Sequence, residues 1–276
     1  MTAVIVSVGW VAMTIENDLL GAYDAQLRRW VPDRWPLGLD YEMQGSVLRV
    51  TGQHRGFIET ARDIGVESEA LDALIERNRD FFSARGEAVE WKTRAHDLPT
   101  DLPDRLVAAG FIPEDTETVV IGETARMAKK LALPEGIVLR RVDQRSDIDR
   151  IAEMQTEVWG EDFGWLADDL EGRVASEPDE IVVLVAEDGG RVVSAAWLVL
   201  KPGTEFAGLW GGSTVSGWRG RGIYKALVAR RARFAQDLGV KYLQVDASEE
   251  SRPILQRLGF RAVTTTTPYV WTPASQ

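Results

Sequence analysis

Apolar residues recur at three- and four-residue steps from Ile15 through Leu19, Leu20, Tyr23 and Leu27 to Trp30, which predicts a helix over 14–30 closed by Pro32. Leu71, Leu74, Ile75, Phe81 and Phe82 repeat that spacing and predict a second helix stopped at Gly86. Tyr41–Val50 reads as a strand with a turn near Gly45, and Val89–Thr93 as a short strand. Leu102–Ala109 reads as a short helix whose first turn accommodates Pro103. A strand at Thr118–Ile121 follows, and residues 123–133 form an irregular connection ending in the Pro134-Glu135-Gly136 break.

From there the pattern alternates more regularly. Ile137–Val142 is a strand, Ile148, Ile151, Met154, Val158 and Trp159 mark a helix, and a further helical piece spans Phe163–Val174. Ile181–Ala186 and Arg191–Leu200 flank Asp188-Gly189-Gly190, the clearest hairpin signal in the chain. A strand over Ala207–Val215, a glycine-rich stretch, a helix, a strand at Lys241–Val245, a short helix to Leu258 and a strand pair around Phe260 and Thr266–Trp271 complete the order. The expected fold is a mixed α/β sheet with crossovers, divided between Gly122 and Gly136. Arg105–Phe111 with Thr118–Ile121 is echoed 149 residues later by Ile254–Phe260 with Pro268–Val270: a helix, a Gly-Phe exit and a returning strand. That spacing argues for a duplication.

Composition narrows the chemistry. The 276 residues carry 43 acidic against 32 basic side chains, a formal charge of −11, which disfavours nucleic acid as a partner. Cysteine is absent, so disulfides, thiolate metal sites and a cysteine nucleophile are excluded. The two histidines, His54 and His96, lack ligand spacing, and no metal is expected. His96 adjoins Asp97, but adjacency does not aim the ring at the carboxylate. The apolar start Met1–Trp10 has no basic flank and is soon interrupted by Glu16 and Asp18, so it reads as a buried strand or helix entry rather than a signal peptide. With no run near the ~20 apolar residues of a membrane span, the expected compartment is the cytoplasm.

The stretch Val215-Ser-Gly-Trp-Arg-Gly-Arg-Gly-Ile-Tyr-Lys-Ala-Leu227 lies between a strand and a helix. Glycines at 217, 220 and 222 permit tight turns with uncovered N–H groups, and the helix start adds positive potential, so the segment suits a diphosphate. It lacks the Lys-Ser/Thr of a Walker loop, and Lys225 replaces the last glycine of a dinucleotide loop. Arg219-Gly220-Arg221-Gly222-Ile223-Tyr224 resembles the Gln/Arg-x-x-Gly-x-Gly/Ala signature of the GNAT superfamily of acyl-CoA-dependent N-acyltransferases, with Tyr224 in place of the final small residue. The resemblance covers about 136–271 and includes Leu258-Gly259-Phe260. It implies a tandem GNAT-like fold, with residues 1–125 a degenerate copy and 136–276 the acyl-CoA-binding domain. The degenerate half, whose nearest approach to the motif is Gln53-His-Arg-Gly-Phe57, would be a scaffold, substrate wall or dimer surface. The cofactor implied is acetyl-CoA or another acyl-CoA. Its diphosphate would lie on Arg219, Gly220, Arg221, Gly222, Ile223 and Tyr224, and its arm on backbone near Thr214 and Val215.

Acyl transfer to an amine requires a neutral amine, a polarised thioester and a proton for the leaving thiolate. The tyrosine that often donates this proton in the family is replaced by Leu255, and an asparagine upstream of it by Ser248. Tyr269 and Tyr224 are alternative acids, Asp246 and Glu249, with Glu250 beside it, are candidate bases, and Glu157 and Asp162 could recognise a cationic amine. Trp210 and Trp165 are candidate walls of an acceptor site. The resulting expectation is an N-acetyltransferase acting on a primary amine, a small molecule rather than nucleic acid or a membrane component, with a homodimer compatible with the sequence. The alternative is a non-catalytic acyl-CoA-binding or regulatory module.

Overall fold

A computed structural model describes residues 3–36, 38–52 and 54–274, with side chains from Ile15 onward; Met1, Thr2 and Gln53 lie outside the described residues. The chain forms two compact units. The first comprises Met1–Val120, Asp246–Arg252 and Arg261–Gln276, and the second Ile121–Val245 and Pro253–Phe260.

The first unit opens with helix α1 (Ala3–Gln26), which starts well before the expected residue 14 because the apolar start is itself helical. Strands β1 (Asp40–Gln44) and β2 (Val47–Thr51) form an antiparallel hairpin around Gly45, whose φ is +59°. β3 (Gly56–Thr60), which periodicity did not reveal, pairs antiparallel with β2 and parallel with β4 (Val89–Arg94), the crossover being helix α2 (Ser68–Ala84). A Cβ at Gly56 would meet the Phe82 ring at 2.1 Å, so glycine lets α2 close onto this strand. Helix α3 (Leu102–Ala108) and the two-residue strand β5 (Ile112–Pro113) follow. The core gathers Ile58, Leu71, Ile75, Phe82, Trp91, Leu106 and Phe111.

The final strand departs from expectation. It is one continuous strand, here β12 (Arg261–Trp271), and it pairs antiparallel with β4 from Thr266↔Arg94 to Trp271↔Val89. Residues 246–252 and 261–276 accordingly group with the first unit rather than with the rest of 136–276. The physical reason is the open edge of β4, whose N–H and C=O groups are satisfied by β12 through six register pairs. The strand order in this unit is β1-β2-β3-β4-β12.

β6 (Glu117–Glu123) crosses the boundary after Val120, and the short helix α4 (Thr124–Met127) lies where an irregular connection was expected. The second unit continues with β7 (Ile137–Val142), α5 (Arg145–Trp159), α6 (Gly164–Ser176), β8 (Ile181–Asp188), β9 (Arg191–Leu200), β10 (Phe206–Thr214), α7 (Ile223–Asp237), β11 (Tyr242–Ala247) and α8 (Arg252–Leu258). Gly189 and Gly190 have φ of +52° and +89°, the two left-handed residues of the anticipated hairpin turn. The order is β11-β10-β9-β8-β7, antiparallel except for β10 with β11. Ile148, Ile151, Leu166 and Leu170 of α5 and α6 pack on Val183, Val185, Ala195 and Trp197 of the sheet.

Both units repeat one plan, in agreement with the predicted tandem α/β fold. β3 and β4 run parallel through Gly56↔Val89, Phe57↔Glu90 and Ile58↔Trp91; β10 and β11 do so through Phe206↔Tyr242, Ala207↔Leu243 and Gly208↔Gln244. The Gly-Phe exits also match: Phe111 donates its N–H to Leu106 O at 3.0 Å and Phe260 to Leu255 O at 3.1 Å.

Candidate cofactor site

β10 leaves its parallel partner after Gly208 yet continues to Thr214, so the backbone beyond Gly208 is free of β11 on that edge. The strand then turns into the glycine-rich loop. Val215 N–H donates to Val193 O at 3.0 Å, Ser194 Oγ donates to Ser213 O at 2.6 Å, and the Ser194 and Thr214 hydroxyls are 2.8 Å apart, which holds the strand end rigid. One 3-10 turn over Ser216–Trp218 follows, and Arg219 Nε donates back to Thr214 O at 3.0 Å. Gly220 and Gly222 have φ of +75° and +88°, conformations that cost an L-residue about 1–2 kcal/mol. Gly222 is the N-cap of α7, and the first helical bond is Ala226 N–H to Gly222 O, so the N–H groups of Ile223, Tyr224 and Lys225 have no helical acceptor. No acidic residue occupies that first turn. A Cβ at Gly217, Gly220 or Gly222 would meet nothing within 4 Å, so the loop borders open space. The left-handed glycine cap, the glycine backbone and the positive helix end fit a diphosphate.

Of the other loop residues, Ile223 is buried and anchors the helix, while the Arg221 guanidinium lies 4.5 Å from the centre of the Trp218 ring. Tyr224 turns back onto β10: a Cβ at Gly212 would meet its ring at 2.8 Å. Gly212 belongs to a bulge between Trp210 and Ser213. The bulge is held from both sides. Arg231 of α7 is fully buried and donates to Trp197 O at 3.1 Å and Trp210 O at 3.2 Å; burial lowers its pKa to about 10. Gln155 of α5 donates to Gly211 O at 3.0 Å, and Trp159 Nε1 donates to Gln155 Oε1 at 2.9 Å and Ser213 Oγ at 3.1 Å. Neither Arg231 nor Gln155 was singled out by sequence; an arginine in the buried i, i+4 pattern of α7 was the available signal.

The expected catalytic groups lie apart from this loop in the chain's partition. Asp246, Glu249 and Tyr269 all belong to the first unit. The Asp246 carboxylate is ion-paired with the Lys92 ammonium and nearly buried. Burial alone would lower the Lys92 pKa, but Asp246 holds it above its ordinary value. Glu249 precedes α8 rather than occupying its first turn, is exposed, and pairs with Arg252 at 2.7 Å. Tyr269 packs in the first unit's core opposite Trp91, and burial raises its phenol pKa. Leu255, where the family's usual acid would stand, is completely buried. Glu157 is taken by Arg191 at 2.8 Å, and Asp162 accepts the Gly164 N–H at 2.8 Å. His96 faces Asp24 and Thr264, not its neighbour Asp97, which binds Arg28 at 2.5 Å. Sequence reading missed Glu117, whose pKa is pushed up to about 7 by burial, with the nearby Asp246 charge adding to it.

The counterpart of the opening in the first unit is closed. Just past the last β3–β4 register pair, Arg94 donates two bonds to the Glu59 carboxylate, at 2.5 and 2.9 Å, and a third to Tyr23 Oη at 3.1 Å. The turn before α2 carries Asp63, which takes the Gly65 N–H at 2.8 Å, and the helix start has Glu67 at the cap and Glu69 in the first turn. A diphosphate there would meet carboxylates and occupied donors.

A strand leaving its parallel neighbour and a left-handed glycine cap at the start of the following helix are the features that the resemblance to the GNAT superfamily implies. Residues 147–260 match the model of the acetyltransferase (GNAT) family. Similar solved structures include a GCN5-related N-acetyltransferase from Kribbella flavida, with TM-score 0.64 and 14% identity over 96% of each chain. Another from Sphaerobacter thermophilus has TM-score 0.61 and 15% identity, over 85% of this chain and 84% of that one. A tandem GNAT protein from the clavulanic acid biosynthesis pathway has TM-score 0.59 and 12% identity, over 88% and 86%. At these identities the likeness is one of fold. No curated protein matches the sequence.

Proposed function

We propose that the chain is an N-acetyltransferase that moves acetyl, or a similarly small acyl group, from acyl-CoA to the primary amine of a small molecule. The observation that carries this reading is the Gly222-capped start of α7 at the end of a strand whose backbone is unpaired by β11 beyond Gly208. The Ile223, Tyr224 and Lys225 N–H groups would hold the diphosphate, with Arg219 and Arg221 adding charge, and the free edge of β10 up to Thr214 and Val215 would bond the extended arm. The acyl-CoA supplies the activated thioester; the protein's tasks are to orient it and to keep the amine neutral.

The second unit also offers an acceptor surface. Trp159, Trp165 and Trp210 are 55%, 39% and 45% exposed, unusual for residues of this size. Trp159 is tethered through Ser213 to the same strand as Trp210, and Trp165 stacks on Phe163 at 6.0 Å. Rigid indole faces favour an amine with an apolar or aromatic body. We place the protein in the cytoplasm; among the described residues no helix is long and apolar enough to cross a membrane.

A second reading, acyl-CoA binding without turnover, is favoured by Leu255, which leaves the leaving thiolate without the usual proton donor. One experiment separates them. Acetyl-CoA should bind the wild-type chain in calorimetry and Gly222→Val should abolish binding; thiol release with a panel of aromatic and aliphatic amines then reports turnover. Binding without thiol release from any amine would leave the second reading standing, and no binding at all would sink both.

A further inference from the structure

In the first unit, three side chains from distant parts of the chain meet where the β4–β12 ladder ends. The last register pair on that side is Thr266↔Arg94, and the Ala95 N–H donates to Thr265 O at 3.1 Å, which fixes the turn after β4 against β12. His96 stands on that turn, Thr264 on β12 and Asp24 on α1. His96 Nε2 lies 2.9 and 3.1 Å from the two Asp24 carboxylate oxygens, and His96 Nδ1 lies 2.9 Å from Thr264 Oγ1. The Asp24 and His96 side chains are each 17% exposed and Thr264 is half-buried, so the three groups border solvent.

Charge decides which ring nitrogen carries the proton. A carboxylate accepts and does not donate, so Asp24 holds the proton on Nε2, and Nδ1 is left to accept the Thr264 hydroxyl. The other acceptor in reach of that hydroxyl, Thr265 O, is farther away at 3.4 Å. Arg28 does not reverse the assignment. Its Nε donates to Asp24 at 2.6 Å, and its Nη2, though 3.2 Å from His96 Nε2, has the Asp97 carboxylate as acceptor at 2.5 Å. Carboxylate, imidazole and hydroxyl thus stand in the order orienting group, base, nucleophile.

We propose that the first unit carries a second reaction centre, in which Thr264 takes an acyl group from a small carboxylic ester with His96 as its base. Thr264 Oγ attacks the carbonyl carbon while its proton passes to His96 Nδ1; the bond from that carbon to the leaving alcohol breaks, and the alkoxide takes the proton. Water then attacks the O-acyl-threonine and gives a proton to His96 Nδ1, the ester bond to Thr264 breaks, and the proton returns to Oγ as the carboxylic acid departs. The net change is ester plus water to acid plus alcohol, with no further reactant. Asp24 touches neither the ester nor the moving proton; it is a positioning residue that keeps Nε2 protonated and stabilises the imidazolium formed in each half. Arg62, which is exposed and donates to His96 O at 3.4 Å, brings positive charge to the same turn, where it favours the oxyanion. A phosphate ester calls for several cations around its oxygens. Arg28 is committed to Asp24 and Asp97, so the site suits a neutral carbonyl instead. Asp24, His96 and Thr264 all belong to the first unit, and the centre requires no CoA.

p-Nitrophenyl acetate, offered to the full chain without CoA, tests this. The wild type should release a burst of nitrophenol close to one equivalent, and peptide mass spectrometry of acid-quenched protein should find an acetyl group on Thr264. Thr264→Val, nearly isosteric, should lose both, and Thr264→Ser should keep both. His96→Gln retains a hydrogen-bonding side chain but no base, and should slow the burst roughly 100- to 10,000-fold. Asp24→Asn should lower kcat with KM unchanged, whereas a purely structural Asp24 would shift the melting temperature and leave both constants alone. The proposal is overturned by a wild type without acetyl on Thr264, by a burst that Thr264→Val or His96→Gln leaves unchanged, or by an Asp24→Asn variant with the wild-type kcat. The wild-type adduct identifies the nucleophile even where a variant fails to fold. Because CoA is absent from the assay, neither result bears on the acetyltransferase reading.

Discussion

Glu117 shows how a single residue can carry a measurable signature. Its carboxyl is raised from the usual 4.5 to about 7, first by burial and then by Asp246, with Lys92 acting against both. A raised acid favours the protonated fold: this contribution is fully present below pH about 4.5 and is lost as pH rises through about 7, at most about 3 kcal/mol in all. Glu117→Gln, which mimics the neutral form, is therefore expected to be more stable than wild type at pH 8 and about equal to it at pH 4. Urea titrations of the two proteins at both pH values check this; stability curves that stay parallel across the range would refute it. Nothing in the local sequence of Glu117 announces this, because the effect comes first from burial and then from Asp246, with Lys92 opposing, and these groups are remote in the chain. Gly222 is the opposite case. Its place between an arginine-glycine run and an amphipathic helix makes a left-handed cap legible in the sequence alone, and the backbone agrees with a φ of +88°.

At the level of elements, two parallel strand pairs built alike have been put to different ends. β10 separates from β11 with glycines at 208, 211 and 212 along it, one of which, Gly211, has Trp197 so close that a Cβ would lie 1.9 Å from the ring. β3 and β4 separate at the same step, but Arg94 and Glu59 fasten them. Both side chains are largely buried, so removing one partner strands the other. Glu59→Ala is expected to destabilise the first unit by about 3–5 kcal/mol, as for other broken buried pairs. Chemical denaturation followed by tryptophan fluorescence measures it through buried Trp91, and a loss below about 1 kcal/mol would show that the bridge does not hold the strands. Most helices and strands were legible because their apolar spacing is local. β3 was not, since its Gly56-Phe57-Ile58-Glu59-Thr60 run is too short for periodicity and is a strand because β2 and β4 flank it.

Across the whole molecule, the partition cuts against chain order. A fragment comprising residues 136–276 contains most of the chain's second unit and β12 but lacks β4, the antiparallel partner of Thr266–Trp271, and lacks Ile121–Glu123 of β6. It is expected to expose an unpaired strand and to aggregate without a cooperative melt, whereas the full chain melts cooperatively; light scattering and thermal denaturation of the two decide this. A monomeric, cooperatively folding fragment would mean that β12 can find another partner. The sequence by itself determined most of the element types, the hairpin at Gly189-Gly190, the Gly-Phe exits of a duplicated plan and the glycine loop into α7. All of these depend on contacts within a few residues, where spacing and backbone freedom act directly. Tertiary structure decided that β12 serves the first unit, that Asp246 is committed to Lys92, that Tyr269 is a core aromatic, and that His96 stands between Asp24 and Thr264. Each of these is set by which edges and charges meet across long stretches of chain, and local pattern does not encode that.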